Sequence, residues 1–450
     1  MTTGQPASSA QAFATRQLHA GDFGANAHHA RTTPIYLTAG FSFDDFDEAR
    51  DRFAGAEGFT YTRIGNPTNS ALEKRVAALE GGTEAILVGS GQAALTVALL
   101  GLLQAGDELV SASSIYEGSR GLFNDNFSRF GIATAYVDDA NDADAWHAAI
   151  TPRTRAIFVE SIPNPKNDIV DLELVAGIAH AAGIPLVVDN TFATPYLLRP
   201  FEHGADVVVH SASKFLAGHG SVIAGIVVDG GRFDWDAHRE NFPHLAAPAV
   251  GLGGRSHLDV YGRGAYGAFA RNTVASRLGP TPSPLNAFLI QQGVETLSLR
   301  VERQSANALA VAGWLDAQDE IESVDYSGLP SNPYHELAQR YLPDGQGSVF
   351  SFTVAGGLEA ARAFINAVDI FTRMSHLGDV RSLILHPAST SHTARTPEQL
   401  VTAGIGQGLL RVSIGIEDVH DLIADLEVGL AAARLALADP VAPLDLILEG

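Results

Sequence analysis

The 450 residues carry 29 Lys and Arg against 51 Asp and Glu, a net charge of −22 at pH 7, with 46% hydrophobic and 18% charged residues. That is enough apolar chain for two or three domains with a large core, and it excludes a disordered chain. The acidic field opposes nonspecific binding to nucleic acid or anionic membrane, so an anionic ligand must meet a local basic site.

With no cysteine there is no disulfide framework, thiolate metal site or cysteine nucleophile, which fits a reducing compartment. The N-terminus lacks a charged start followed by an apolar stretch, and no apolar run reaches membrane-spanning length. The expectation is a soluble cytoplasmic protein with neither nucleic-acid nor membrane partner. Residues 1–14 are small and polar and read as an arm. An extended segment follows, ending Y-T-R-I-G-N-P-T, in which Tyr61 and Arg63 lie two apart on one side. They could grip an anion jointly or form an ordinary surface pair.

The first helix is predicted over 70–80, since Ser70 and Glu73 have capping-box spacing, Leu72, Val76 and Leu79 share a face, and Gly81-Gly82 stops it. A strand over 84–88, the loop G-S-G-Q-A-A and a helix over 93–103 then form the geometry in which backbone N–H groups hold a phosphate. The loop also fits G-x-G-x-x-A, but a dinucleotide site wants an acidic residue at the end of the next strand. The strand over 109–113 ends in Ser-Ala-Ser-Ser, and Asp107 and Glu108 stand at its other end. The phosphate site is kept and the dinucleotide dropped.

Tyr116 follows that strand, in a loop that either binds ligand or only packs. Further strands are expected over 132–137, 155–159, 185–188 and 205–209, with helices over 142–149 and 171–182. This βα alternation predicts a mainly parallel sheet. Two strand ends are chemically pointed. Pro-Leu-Val-Val runs into Asp189, and Ala205 to Val209 runs into H-S-A-S-K-F-L-A-G-H-G with Lys214 at its centre. A lysine beyond a buried strand either snorkels outward or is partly desolvated into a nucleophile. A Schiff-base lysine and a carboxylate that keeps a pyridine nitrogen protonated are the two parts that make pyridoxal phosphate an electron sink, and the loop at 89–92 with Ser211 and Ser213 supplies phosphate donors. In the last third, helices are expected over 284–317 and 418–436, with apolar stripes assigned to packing, and Arg411 lies in the strand-like L-L-R-V-S-I. His210, His219, His386 and His392 show no helical two-ligand spacing, so no metal site is expected.

The motifs Y-T-R-I-G-N-P-T, G-S-G-Q-A-A, V-V-D-N-T-F, H-S-A-S-K-F-L-A-G-H-G and L-L-R-V-S-I-G-I-E-D, in this order between Thr15 and Arg434, resemble the pyridoxal-phosphate-dependent transsulfuration enzymes of cysteine and methionine metabolism. The resemblance implies an α/β fold of type I aminotransferase kind, with a large mainly parallel sheet carrying helices on both faces and a smaller C-terminal α/β domain. The division it suggests is an arm over 1–65 that contacts the neighbouring subunit, a cofactor domain over 66–282 and a C-terminal domain over 283–450. It also implies a homotetramer, a dimer of dimers with shared active sites. Lys214 would carry pyridoxal 5'-phosphate covalently and Asp189 would pair with its ring nitrogen. Gly91 and Gln92 through their backbone, Ser211 and Ser213 would hold the phosphate, with Tyr61 and Arg63 from the neighbouring subunit. Tyr116 would stack on the ring and assist the leaving group. Asn164 would touch the ring's hydroxyl side or the substrate, Arg411 would clamp the substrate α-carboxylate, and Ser375 would join the substrate contacts.

Within the family, H-L-G-D-V-R-S-L-I-L-H-P-A-S-T-S-H and P-S-P-L-N-A-F-L-I-Q-Q-G-V-E-T-L look like the O-acetylhomoserine sulfhydrylase branch. Glu117-Gly118 stands where a methionine γ-lyase carries a cysteine nearby. The implied reaction is γ-replacement on O-acetyl-L-homoserine by sulfide or a small thiol. A cystathionine γ-synthase, a cystathionine or methionine γ-lyase, and a nucleotide-binding protein using Gly89–Gly91 are the alternatives. Residues 233–280 depart from the pattern, which touches substrate access, and the tail D-P-V-A-P-L-D-L-I-L-E-G is extra.

Overall fold

The structure is a computed structural model that describes residues 11–21, 28–393 and 395–438. The expected arm over 1–14 and the extra tail lie largely outside these residues. The chain divides into two units, one holding the described residues through Pro163 with Ile169–Leu299, the other Asn164–Asp168 with the described residues from Arg300.

The first unit is built on seven strands: β1 Glu84–Val88, β2 Glu108–Ala112, β3 Ala133–Val137, β4 Thr154–Glu160, β5 Leu186–Asp189, β6 Val207–His210 and β7 Gly225–Asp229. Their order is β1-β7-β6-β5-β4-β2-β3. Neighbours from β6 to β3 pair parallel, while β7 runs antiparallel to both β1 and β6. β2, β6 and β7 are buried at every residue, which is why β6 and β7 read as apolar runs rather than alternations. Helices cover them: Pro67–Glu80 packs on β1, Gly91–Leu100 on β6 and β7, and Leu172–Ala181 on β5. The sheet expected from βα alternation is present. β7 was not anticipated, because no helix separates it from β6; an antiparallel neighbour needs only a turn.

Some helices differ from the sequence reading. The first helix begins at Pro67, capped by Asn66, whose side chain accepts from Thr68 N at 2.9 Å. Ser70 is thus inside it, and Glu73, instead of closing a capping box, accepts from Leu87 N at 2.8 Å. The stretch 284–317 forms two helices, Pro284–Val294 and Leu297–Asp316. The divergent 233–280 stretch is densely packed: the Phe233 and Trp235 rings are 4.5 Å apart, and Trp235 stacks on Tyr266 at 5.5 Å and 22°. Trp235 Nε1 donates to Arg263 O, and Tyr266 OH to Ala98 O in the helix Gly91–Leu100.

Asp229, the last residue of β7, is paired across the sheet with Glu84 and Val207. Burial pushes its carboxyl up to about 7, against hydrogen bonds from Gly231 N and Gly267 N, and the Glu84 and Asp206 charges add to the rise. A folded-state pKa raised this far means the folded protein holds a proton that the unfolded chain has lost, so this stability is fully present below the unfolded value of 3.8 and is lost as pH rises from there to about 7. The loss amounts to roughly 4 kcal/mol. Asp229→Asn gives up one acceptor, about 1 kcal/mol, but does not titrate. Urea unfolding should therefore show wild type losing about 4 kcal/mol relative to Asp229→Asn between pH 4 and pH 8; parallel curves would exclude a titrating Asp229.

The second unit carries β8 Ile321–Asp325, β9 Val349–Val354, β10 Thr372–Arg373, β11 Leu383–Leu385 and β12 Leu409–Ser413, in the order β10-β11-β12-β9-β8. All pairs are antiparallel except β10 with β11. Helices Gly357–Ala367 and Val419–Ala438 pack on each other, and Phe350, Phe352, Phe364, Leu410 and Leu426 meet in the core.

Candidate active site

In the first unit the chemistry collects where parallel strands end. β5 ends in Asp189 and β6 in His210, and the chain then turns tightly: Lys214 N donates to Ser211 O at 3.1 Å and Gly218 N to Lys214 O at 2.8 Å. Gly218 closes the turn at φ +74°, a conformation that favours glycine. Lys214 is half-buried between buried Ser213 and Phe215. Chain folded in this way holds the ammonium stem close to protein rather than letting it extend freely into water.

Asp189 is fixed by Thr191, which donates to Oδ1 from its backbone N at 2.9 Å and from Oγ1 at 2.5 Å. Thr191 Oγ1 in turn accepts from Ser211 N at 2.8 Å, so the ends of β5 and β6 are tied together through one hydroxyl. Burial pushes the Asp189 carboxyl up, and the Thr191 hydrogen bonds and the His210 charge oppose this. Both Thr191 bonds fall on Oδ1. A cationic N–H donor facing Oδ2 would relieve the desolvation, which is what a protonated pyridine nitrogen offers. Sequence reasoning missed Thr191; its spacing from Asp189, an acid followed two residues on by a hydroxyl, was the available signal.

The strand, glycine loop and helix form as expected, with the helix starting at Gly91 rather than at residue 93. Ser90 caps it by accepting from Ala93 N at 3.1 Å. The first N–H groups of a helix have no partners within it, and this one starts against Ser211: a Cβ on Gly91 would lie 2.7 Å from the Ser211 Cβ. Gly225 of β7 fits as closely behind, since a Cβ there would overlap the Ser90 carbonyl. Ser213 differs from its expected use. Its hydroxyl donates to Ala224 O and accepts from Ala224 N, both at 3.1 Å, so its proton pins the lysine turn to the segment entering β7.

Tyr116 stands at the start of the short helix Glu117–Gly121, held by donation from its backbone N to Glu160 Oε1 at 2.7 Å. Its ring is 48% exposed and so is open to a stacking partner. The Tyr116 ring and the Gln92 amide converge on Gly118, where any Cβ would strike both, and Gln92 Oε1 is buried with no hydrogen bond. Glu160, at the end of β4, is a further residue the sequence did not single out.

Tyr61 and Arg63 do not lie on an extended segment. Tyr61 makes an isolated bridge to Gly40 and begins a turn closed by Ile64 N and Gly65 N donating to Tyr61 O. The turn still brings the two together, with the Arg63 guanidinium 5.6 Å from the Tyr61 ring centroid. Both are exposed, and Arg63 donates to Ser276 O.

In the second unit Arg411 lies on β12, opposite Ser351 of β9 and Leu385 of β11, and is 5% exposed. It donates to Asn164 Oδ1 at 3.4 Å and to the backbone oxygens of Ser375 and His376 at 3.4 and 3.3 Å. These three acceptors are uncharged and the bonds long, which suits a guanidinium held in place for a carboxylate. Asn164 and Ser375 thus meet Arg411, with Asn164 buried and Ser375 exposed at its side chain.

The histidines are otherwise engaged: His210 Nε2 with Glu80, His219 Nδ1 with Ala217 O, His386 with Ser389 Oγ and Gln407 O, and His392 Nδ1 with Ser391 Oγ. Among the described residues no three His, Asp or Glu group as metal ligands do.

A half-buried lysine, a half-buried carboxylate one strand away and a helix start abutting a serine fit pyridoxal phosphate, and this class of enzyme is what fold and site together define. The chain belongs to the Cys/Met metabolism PLP-dependent enzyme family, whose model matches residues 14–431. It is 41% identical over 424 residues to the O-acetyl-L-homoserine sulfhydrylase of Corynebacterium glutamicum, covering 93% of this chain and 97% of that protein. It is 42% identical over 425 residues to the homocysteine synthase of Schizosaccharomyces pombe, covering 94% and 98%. A solved structure of a putative O-acetylhomoserine (thiol)-lyase from Campylobacter jejuni, which carries a pyridoxyl-lysine monophosphate, superposes with a TM-score of 0.89 at 35% identity, covering 94% of this chain and all of that one. The nucleotide-binding alternative falls with family membership.

Proposed function

We propose that this protein catalyses γ-replacement on O-acetyl-L-homoserine, with sulfide or a small thiol displacing acetate to give homocysteine or methionine. The observation that carries the reading is near-full-length similarity to relatives named for this reaction, in a chain that retains Lys214, Asp189 and Arg411. Bound pyridoxal 5'-phosphate supplies the electron sink for charge developing at the substrate Cα and Cβ. Lys214 would hold the cofactor; once displaced by the substrate amine, its free amine would take the proton from Cα, hand it on to the bound cofactor and, neutral again, take one from Cβ. Asp189 keeps a proton at the ring nitrogen. N–H groups at the start of the helix Gly91–Leu100, with Ser211, hold the phosphate, and Ser213 supports the turn that presents Lys214. Tyr116 stacks on the ring and gives a proton to the departing acetate oxygen. Arg411, oriented by Asn164 and the Ser375 carbonyl, takes the α-carboxylate. Hydrogen sulfide adds at Cγ and restores the proton of Tyr116, and Lys214 would deliver protons to Cβ and then to Cα, one at a time, as homocysteine leaves.

Tyr61 and Arg63 of a neighbouring copy complete the phosphate site in a homotetramer. The strongly exposed Leu37, Phe46 and Phe53 support an arm that is covered by another subunit. The absence of cysteine supports a cytoplasmic setting. No helix among the described residues is long and apolar enough to cross a membrane.

The test is a matrix of O-acetyl- and O-succinylhomoserine against sulfide, methanethiol and cysteine, with product identification. Homocysteine and acetate from the acetyl ester and sulfide are expected. Cystathionine as the main product, or 2-oxobutanoate and ammonia from methionine or cystathionine with no sulfide transfer, would assign the synthase or lyase reaction instead.

A further inference from the structure

A tyrosine ring that stacks on a cofactor and hands over a proton must be held in one pose, and a ring that is 48% exposed has little packing of its own to hold it. The Tyr116 side chain takes no part in capping the short helix Glu117–Gly121 that follows it. What fixes the residue is its backbone. Its carbonyl accepts from Ser119 N at 2.9 Å and Arg120 N at 3.1 Å, and its N–H donates to Glu160 Oε1 at 2.7 Å.

The first two bonds belong to the helix, but the third does not. Glu160 lies 44 residues away, so no local turn requires the contact. It ends β4 and is 6% exposed, and a carboxyl so far out of water is costly unless what it binds offsets the loss. Its neighbour in the sheet is Asp189: the two are paired in the parallel register of β4 and β5, so their side chains leave the same face. One residue on, Ser161 donates to Asp189 O from its backbone N at 3.0 Å and from Oγ at 3.3 Å. The end of β4 is therefore tied to Asp189 on one side and, through the Glu160 carboxyl, to Tyr116 on the other. The ring itself leans on bare backbone, since a Cβ on Gly118 would overlap it.

We propose that Glu160 is a positioning residue for Tyr116: its buried carboxyl fixes the Tyr116 backbone to the strand beside Asp189, and so sets where the Tyr116 ring stands relative to the carboxylate that meets the cofactor's ring nitrogen. Gly118 leaves room for that pose. The inference rests on the proposed role of Tyr116 as stacking and proton-donating group.

The test uses the cofactor-loaded full chain, with kcat for O-acetylhomoserine and sulfide and the visible circular dichroism of the bound cofactor as readouts. Glu160→Leu fills the space but accepts no hydrogen bond. It should lower kcat on the order of tenfold and weaken the dichroic band, while Glu160→Gln, whose amide oxygen still accepts, should recover most of both. The deciding comparison is made in Tyr116→Ala, where the ring is gone: there Glu160→Leu should change kcat by about twofold or less. An equal loss in both backgrounds, an unchanged kcat in Glu160→Leu, or a Glu160→Gln no better than Glu160→Leu overturns the proposal. Failure of Glu160→Leu to fold assigns the residue to the fold and overturns it as well. A Tyr116→Ala that turns over like wild type overturns the role of Tyr116 and this proposal together, so the two failures are distinguishable.

Discussion

Lys214→Ala is expected to reduce turnover of O-acetylhomoserine with sulfide by about 10³-fold or more, because one substitution removes both the covalent link and the base. The structural reason is local. Lys214 is held half-buried in a turn whose backbone is tied at Ser211 and Gly218, between side chains that are buried. Borohydride treatment followed by peptide mass measurement separates the two roles. Wild type should acquire a pyridoxyl adduct on the peptide containing Lys214, and Lys214→Ala should acquire none while still binding cofactor weakly through the helix at Gly91. Lys214→Arg keeps the charge but cannot form the link, and it should behave as Lys214→Ala. A lysine that merely reaches to the surface would predict near-normal turnover in both variants, with the adduct elsewhere.

Much of this was legible in the chain because it lies in short, strongly patterned pieces. β5 and β6 are fully apolar runs that end in polar residues, and an ending of that kind marks the ligand edge of a parallel sheet. The loop at 89–92 announces its helix by glycine spacing alone. What stayed hidden depends on partners far apart in the sequence. Ser213 reads as a phosphate donor until Ala224, eleven residues on, takes up its hydroxyl. Glu80 reads as an ordinary helix-end acid until His210, 130 residues later, reaches it. The capping box at Ser70 and Glu73 satisfied its pattern, but Asn66 followed by Pro67 is the stronger helix start, and that freed Glu73 to accept from β1. β7 was overlooked for a topological reason, since alternation signals parallel strands and is silent about an antiparallel neighbour.

Arg411→Lys should raise the KM for O-acetylhomoserine by about 10²-fold while kcat and the KM for sulfide change little. Lysine keeps the charge, but it loses the planar fork that pairs two N–H groups with one carboxylate, a difference worth roughly 2–3 kcal/mol. The site favours the fork. Arg411 sits on the central strand β12 between β11 and β9, so its Cα is fixed, and Asn164 with the Ser375 and His376 carbonyls sets the plane of the guanidinium. The α-carboxylate is the same in substrate and transition state, so losing the fork should appear in KM and leave the chemical step alone. Initial rates with each substrate varied in turn measure this, with a thermal unfolding scan as control. An Arg411 that serves only the fold would show the reverse, a lowered unfolding temperature with the KM for O-acetylhomoserine intact. Its carboxylate would then have to be held elsewhere.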